Sequence, residues 1–196
     1  MHLKDSKTAI NLLRAFAGES QARNRYDMAA GVAKKEGYEL ISRVFLYTAK
    51  QEEQHARIFY RHLQELNNSN ITIDGGYPVN LYDTTLPHLR AAQHNEYEEW
   101  QDAYQNFGDI AKEEGFEKIA RSFHMIAQVE KTHGDRFGEY ADLLESGSLY
   151  KRVGETEWLC LNCGYVHTGV SAPEICPVCQ HKQGYFTAAG GTIFLP

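Results

Sequence analysis

Apolar residues recur every three or four positions through most of the first 145 residues, which is the spacing of helices that bury one face. The pattern predicts helices over residues 5–35, 39–66, 86–113 and 117–144, with a glycine break after the first and after the third. The stretch 67–85 is rich in Asn, Gly and Pro and is long enough to run the length of a bundle. These elements predict a four-helix bundle with one long crossover.

The two helix pairs are an internal repeat. A shift of 78 residues superimposes the first pair on the second. The matched positions include Tyr26 with Tyr104, Glu52 with Glu130 and His55 with His133. The repeat indicates that one helix pair was duplicated. The two tyrosines have two interpretations: they pack in the core, or they donate hydrogen bonds to ligand carboxylates.

Ionisable residues interrupt the apolar seams of the second and fourth helices, at Glu52 and His55 and again at Glu130 and His133. A carboxylate buried without a partner normally protonates or moves to the surface, so a cation is expected nearby. Because residues three apart share a helix face, each Glu-x-x-His pair can present an oxygen and a nitrogen to one cation. Such pairs on two helices, with a Glu from each of the other two, are the pattern of di-iron carboxylate bundles.

The first and third helices supply the remaining carboxylates. Glu19 lies on the seam of the first helix, and Glu96 and Glu99 share one face of the third because they are three residues apart. Five carboxylates and two imidazoles can hold two six-coordinate cations, with Glu52 and Glu130 as bridges. Solvated surface glutamates are the alternative for any single motif, but two copies in register argue against it.

The cysteines form two Cys-x-x-Cys pairs near the end of the chain, at Cys160, Cys163, Cys176 and Cys179. Four thiolates can surround one tetrahedral ion, either zinc in a structural site or iron in a one-electron carrier. Iron is the better interpretation beside a bundle whose chemistry consumes electrons. We predict a bundle over 1–146, a linker over 147–156 and a small β domain over 157–196 that needs its metal to fold.

Composition excludes several classes of partner. The 196 residues carry 20 Lys and Arg against 26 Asp and Glu, a formal charge of -6, with no basic run to follow a phosphate backbone. No signal-peptide core or membrane-spanning apolar stretch is present. Because the paired cysteines indicate a metal rather than disulfides, we expect a reducing, cytoplasmic compartment and neither nucleic acid nor membrane as partner.

Over essentially its whole length the sequence closely resembles rubrerythrin, through residues 16–26 (FAGESQARNRY), the two Glu-x-x-His motifs, residues 96–100 (EYEEW) and the cysteine pairs. The resemblance implies a mainly α, ferritin-like four-helix bundle with a small C-terminal rubredoxin-like (zinc-ribbon-type) β domain. It implies iron ligands at Glu19, Glu52, Glu96, Glu99, Glu130 and His133, with His55 exchanging with Glu99 when the oxidation state changes. One departure is Asn95, where the family usually has Gly, and we expect it to be tolerated.

The resulting functional hypothesis is a non-haem di-iron peroxidase that reduces hydrogen peroxide to water. Two iron ions per chain would occupy the carboxylate-bridged centre, and electrons would come through one iron, or a zinc in its place, at the cysteine site. The resemblance implies a homodimer that pairs one subunit's rubredoxin-like domain with the other's di-iron site. The expected electron donor is rubredoxin or an NAD(P)H-dependent reductase, in oxidative-stress defence of anaerobic or air-sensitive cells.

Two other functions fit parts of the sequence. A ferritin-like iron oxidase or storage protein would carry a structural zinc at the cysteines and assemble into a hollow shell. A non-catalytic zinc-ribbon interaction module on a helical scaffold would bind a single zinc ion per chain. The ionisable residues on the seams argue against this last function.

Overall fold

The computed structural model describes residues 2–189 and contains the predicted helical bundle followed by a small sheet. The helices are, in chain order, α1 (Lys7–Lys35), α2 (Glu39–His62), α3 (Thr85–Glu98), α4 (Tyr104–Glu113) and α5 (Glu117–Glu145). A π-helical turn, Glu99–Ala103, joins α3 and α4 into the third helix of the bundle. α1 packs along α2, and α5 packs along α3 and α4. The predicted mainly α four-helix bundle is therefore confirmed.

The two halves end their hairpins in the same way. Gly37 and Gly115 both have a φ of +87°, a conformation that L side chains rarely adopt. Just before each glycine, a glutamate caps a helix of the other half. Glu36 accepts hydrogen bonds from the backbone and hydroxyl of Thr85, and Glu114 accepts the equivalent pair from Thr8. These caps fasten the repeated hairpins to each other.

The interior of the bundle consists of two apolar clusters. One contains Phe45 and Phe137, with ring centroids 5.1 Å apart, and the other contains Phe59 and Phe123, at 4.7 Å. All four rings are fully buried. On α2 and α5 the ionisable seam residues lie between these rings, so a polar layer is enclosed by apolar layers above and below.

The crossover, residues 67–84, forms no helix or strand and runs over the bundle surface. It is attached by the Arg14–Asp74 ion pair, by the Tyr77 hydroxyl, which donates to the Arg14 carbonyl at 3.0 Å, and by Asn80. α2 ends at His62, and a 3-10 turn follows, so the predicted helix end at residue 66 is wrong. The third predicted helix is likewise interrupted by the π-helical turn.

The C-terminal domain is a three-stranded antiparallel sheet in the order β2-β1-β3. Its strands are β1 (Lys151–Cys160), β2 (Val166–Ser171) and β3 (Phe186–Ala188). β1 begins inside the stretch 147–156 that we predicted as a linker, so residues 151–156 are strand, with an irregular register against β2 before Thr156. Trp158 and Phe186 are fully buried beside Cys160 and Cys176, which makes the thiols part of a very small core.

The small domain contacts its own bundle at the α1–α2 turn. A Cβ on Gly184 would lie 1.8 Å from the Gly37 carbonyl oxygen, so the two backbones touch there. Arg43 of α2 donates a hydrogen bond to the Leu161 carbonyl at 3.2 Å. Among the described residues, no helix combines the length and apolarity that crossing a bilayer requires.

Candidate metal centres

Six ionisable side chains from α1, α2, α3 and α5 meet in the polar layer of the bundle. They are Glu19, Glu52, His55, Glu96, Glu130 and His133. His55 is the most exposed of them, with 7% of its surface accessible, and the other five are more deeply buried. The structure thus brings together six of the seven side chains that the sequence predicted as ligands.

The six side chains form two overlapping groups of four. Glu19 and His55 belong to one group and Glu96 and His133 to the other, whereas Glu52 and Glu130 belong to both. Within each group the potential ligand atoms lie within 4.8 Å of one another. The two imidazole rings are 5.6 Å apart and nearly parallel. Two groups of ligands that share two carboxylates have the connectivity expected of two cations bridged by those carboxylates.

The hydrogen-bonding state of this layer fits a metal pair. Seven side-chain oxygen and nitrogen atoms of Glu19, Glu52, Glu96, Glu130 and His133 are buried without a hydrogen-bond partner. His133 Nδ1 lies 2.8 Å from a Glu52 oxygen and 2.9 Å from a Glu130 oxygen, as if all three point to one place. Leaving so many buried polar atoms unpaired is costly, and coordination by cations would satisfy them.

Without cations the layer holds protons instead. Burial, followed by repulsion from Glu52, raises the pKa of Glu96 to about 8. Burial opposes the charged form of His55, but Glu130 and Glu52 outweigh it and raise its pKa to about 10. Burial would also raise the pKa of Glu52, yet the two imidazoles lower it to about 2. The layer therefore favours added positive charge, which protons supply when no metal cation is bound.

Each of the two repeated tyrosines donates a hydrogen bond to a carboxylate of the candidate centre that belongs to the opposite half of the repeat. The Tyr104 hydroxyl donates to Glu19 Oε1 at 2.6 Å, and the Tyr26 hydroxyl donates to Glu96 Oε1. Both tyrosines are buried, and burial together with the neighbouring carboxylate raises the pKa of each. Both interpretations that the sequence allowed are observed, because the rings pack in the apolar clusters and the hydroxyls donate to carboxylates.

The π-helical turn explains a break in the repeat. Glu19 precedes Tyr26 by seven residues, whereas Glu96 precedes Tyr104 by eight. The turn absorbs the additional residue, so both tyrosines still reach a carboxylate. Glu99 begins this turn and lies outside both groups of four, on the wall of a cavity that opens to the surface. Burial and then Glu96 raise its pKa.

Two arginines near the centre were missed by the sequence analysis. Arg136 lies three residues after His133, on the same face of α5, and donates to Thr48 Oγ1 at 2.9 Å. Arg25 donates to Asn80 of the crossover at 3.2 Å. The i, i+3 spacing could have revealed Arg136, whereas nothing local in the sequence connects Arg25 to the crossover.

Asn95 is more than a tolerated replacement of glycine. Its side chain is 6% exposed, and its amide donates to Asn80 Oδ1 at 2.9 Å. Since Arg25 donates to the same oxygen, Asn95 joins α3 to α1 through the crossover, directly before Glu96. The crossover is thereby attached beside the polar layer.

The four cysteines form the second candidate centre. All are free thiols, grouped within 4.8 Å, and the Sγ distances from Cys160 to Cys179 and from Cys163 to Cys176 are both 3.7 Å. A tetrahedral ion with metal–sulfur bonds of about 2.3 Å requires sulfurs about 3.8 Å apart. A disulfide requires about 2 Å instead. The geometry fits one four-coordinate metal ion.

Comparison with known proteins agrees with this architecture. The rubrerythrin family model matches residues 11–141, and the model described as the rubredoxin-like domain of rubrerythrin matches residues 158–187. A rubrerythrin of Porphyromonas gingivalis is 47% identical over 184 residues, which is 94% of this chain and 90% of the relative. This chain belongs to the rubrerythrin family. A rubrerythrin of Nitratidesulfovibrio vulgaris is 43% identical, over 96% of this chain and 97% of the relative.

Solved structures place this rubrerythrin-family chain among ferritin-like folds. A partially reduced nigerythrin has a TM-score of 0.63 at 30% identity and covers 94% of this chain and 90% of its own. A Desulfovibrio desulfuricans bacterioferritin, described with a diiron site, has a TM-score of 0.64 at 20% identity, over 72% of this chain and 82% of its own. The bacterioferritin likeness concerns the bundle fold.

Proposed function

We propose that this chain is a peroxidase that reduces hydrogen peroxide to water at a di-iron centre in the bundle, supplied with electrons through an iron at the cysteine site. The observation that carries the proposal is the pair of overlapping ligand groups sharing Glu52 and Glu130, in one chain with a four-cysteine site. A bridged pair of redox-active ions can deliver two electrons together, the number that cleavage of a peroxide bond requires. Zinc at the cysteines would leave no internal electron supply.

The chain's residues define the charge and the shape of this centre. Glu52 and Glu130 would be shared by the two ions, Glu19 and His55 would complete one site, and Glu96 with His133 would complete the other. The Tyr26 hydroxyl donates to one oxygen of Glu96 and the Tyr104 hydroxyl to one oxygen of Glu19, which leaves the other oxygen of each carboxylate for the metal. The apolar clusters on both sides exclude bulk water and hold the ligands in place.

Glu99 is the residue best placed to act on the substrate. It lies on the cavity wall and begins the π-helical turn. Burial and then Glu96 raise the pKa of its carboxyl, which favours the uncharged form when no cation is bound. We propose Glu99 as a ligand that would bind the metal on the side of the centre that faces the cavity. His55, the most exposed member of the six, is suited to exchange with it.

The cysteine domain would supply electrons one at a time, and the arrangement of the subunits would set the electron-transfer path to the bundle. We propose a homodimer in which one subunit's cysteine site faces the partner's bundle, with a small redox protein such as rubredoxin or an NAD(P)H-dependent reductase as donor. The proposed setting is the cytoplasm of an anaerobic or air-sensitive cell. Nigerythrin, studied in partially and fully reduced states, supports redox cycling in this fold.

A single-turnover measurement tests the proposal. Anaerobically reduced, iron-loaded protein is mixed with hydrogen peroxide, and peroxide loss is followed for the native chain, Glu52→Ala and Glu53→Ala. Glu53 is a matched control because it adjoins Glu52 but forms its ion pairs with the exposed side chains of Lys50 and Arg57. We expect Glu52→Ala to slow peroxide loss by more than about a hundredfold and Glu53→Ala to leave it unchanged.

Two results would contradict the proposal. Equal rates for Glu52→Ala and the native chain would remove the carboxylate layer from the reaction. Slow peroxide loss by the native chain, together with a hollow multi-subunit shell in sedimentation, would instead support the iron oxidase or storage function.

A further inference from the structure

A cavity of about 770 Å³ lies beside the polar layer, between α1, the crossover and the π-helical turn. Glu99 and Tyr104 form part of its wall next to the candidate metal centre. Gly76 and Tyr77 of the crossover form the opposite part. The cavity opens to the surface, so it connects solvent with the one predicted ligand that lies outside the two groups of four.

The cavity is far larger than hydrogen peroxide requires. A water molecule occupies about 30 Å³ of liquid, so a molecule of two oxygen atoms needs roughly twice that volume. Cavities of about 300 to 1,000 Å³ are typical of sites for organic molecules with many heavy atoms. A narrow channel would be sufficient for the small peroxide, and the present volume accommodates an organic group as well.

The lining favours a neutral organic group. Ala15, Ala103 and Phe107 give the cavity apolar wall, whereas Glu98 and Asp102 add acidic groups. The cationic side chain of Arg14 is already paired with Asp74. These carboxylates would therefore repel an anionic substrate, and none of the named lining residues offers an unpaired cation to offset the repulsion. A neutral alkyl or aryl group would instead contact carbon atoms of the wall.

We propose that this cavity admits neutral organic hydroperoxides and that the chain reduces them as well as hydrogen peroxide. The proposal rests on the proposed peroxidase function. In the reaction the O–O bond breaks, and ROOH with two electrons and two protons gives ROH and water. The electrons come from the reduced metal centre, whose ions are oxidised by one electron each, and are replaced by the one-electron donor protein. The organic group R remains in the cavity while the peroxide oxygens face Glu99.

Gly76 provides a way to fill the cavity without touching the ligands. It lines the cavity, a Cβ added there would meet no atom within 4 Å, and its φ lies outside the left-handed region. A phenylalanine at this position would add a large side chain at the cavity wall without a steric clash at its Cβ. Gly154 of β1 also has open space around its Cβ and lies in the other domain, so Gly154→Phe is the matched control.

The test compares kcat/KM for hydrogen peroxide and cumene hydroperoxide in iron-loaded protein. We expect the native chain and Gly154→Phe to reduce both, and Gly76→Phe to lose at least about tenfold for cumene hydroperoxide only. Reduction of hydrogen peroxide but not of cumene hydroperoxide by the native chain would overturn the cavity proposal alone. Reduction of neither would overturn the peroxidase function beneath it.

A binding measurement tests the cavity without turnover. Zinc-loaded protein labelled with ¹³C at alanine methyl groups is titrated with 2-phenyl-2-propanol, the alcohol product of cumene hydroperoxide. The methyl signals of Ala15 and Ala103 should shift in the native chain and in Gly76→Ala, and should stay in place in Gly76→Phe. Shifts confined to other alanines, or identical shifts in Gly76→Phe, would contradict the assignment of the site.

Discussion

Tyr104→Phe removes one hydrogen bond from a buried carboxylate of the candidate centre and leaves the rest of the core unchanged. The hydroxyl donates to Glu19 Oε1 at 2.6 Å, and Glu19 is fully buried. The ring packs against Phe59 and Phe123, with centroids 5.3 Å and 6.0 Å away, and phenylalanine keeps these contacts. A hydrogen bond to a charged group contributes about 1.5 to 3 kcal/mol, which corresponds to roughly a 10- to 100-fold loss of metal affinity.

The assay is an anaerobic ferrous-iron titration in competition with a chromophoric chelator. Tyr97→Phe is the control, because its hydroxyl also donates to a carboxylate, Asp135 Oδ1 at 2.8 Å, but on the surface. We expect weaker iron binding for Tyr104→Phe only. The metal-free protein should lose only about 1 kcal/mol of unfolding free energy, since burial, followed by repulsion from Glu130, raises the pKa of Glu19 and favours its uncharged form. Unchanged affinity, or equal losses in both variants, would refute the proposed role of the tyrosine.

Three further predictions follow from the same geometry. Iron loading should release protons, because the raised pKa values of Glu96, about 8, and His55, about 10, mean that both groups are protonated at pH 7 in the metal-free protein. Calorimetry in buffers of different ionisation enthalpy measures the number of protons released. This number should decline as the pH rises through the two pKa values. Phe123→Ala should lower the unfolding free energy by about 3 to 5 kcal/mol in denaturant titrations, since the ring is fully buried, and a loss below about 1 kcal/mol would contradict the packing. Cys176→Ser should lower metal content by one ion per chain in elemental analysis while helicity by circular dichroism stays constant; an unchanged metal content would exclude the thiol as a ligand.

The repeated motif is what allowed the sequence to predict the polar layer. Glu52 and Glu130 occur in register with two histidines, and a charged residue on an apolar seam requires a partner wherever the helix packs. Helical periodicity then determines depth, since residues three or four apart share a face. Both conclusions depend only on local spacing, which is why the sequence could predict that these side chains lie together.

The π-helical turn and the crossover attachment depend on contacts that local spacing does not specify. The seven- and eight-residue separations of glutamate and tyrosine could have revealed an inserted residue, but only packing decides that Glu99–Ala103 absorbs it. Asn80 and Asn95 are 15 positions apart, and their hydrogen bond requires the crossover to fold back over α3. The early start of β1 at Lys151 was missed because its first residues are mostly exposed and carry no apolar alternation.

The proposed peroxidase function requires that electrons pass from the cysteine site to the carboxylate centre. The structure gives each a separate protein environment: the carboxylate layer lies between apolar clusters, and the thiols belong to the core of the small sheet. The measurement that tests this coupling most directly is the visible spectrum of anaerobically reduced, iron-loaded protein during addition of less than one equivalent of hydrogen peroxide. We predict that the ferric-thiolate absorption of the cysteine site returns rapidly as the peroxide disappears. Peroxide consumption without return of that absorption would contradict electron supply from the cysteine site, and persistence of peroxide would contradict the peroxidase function.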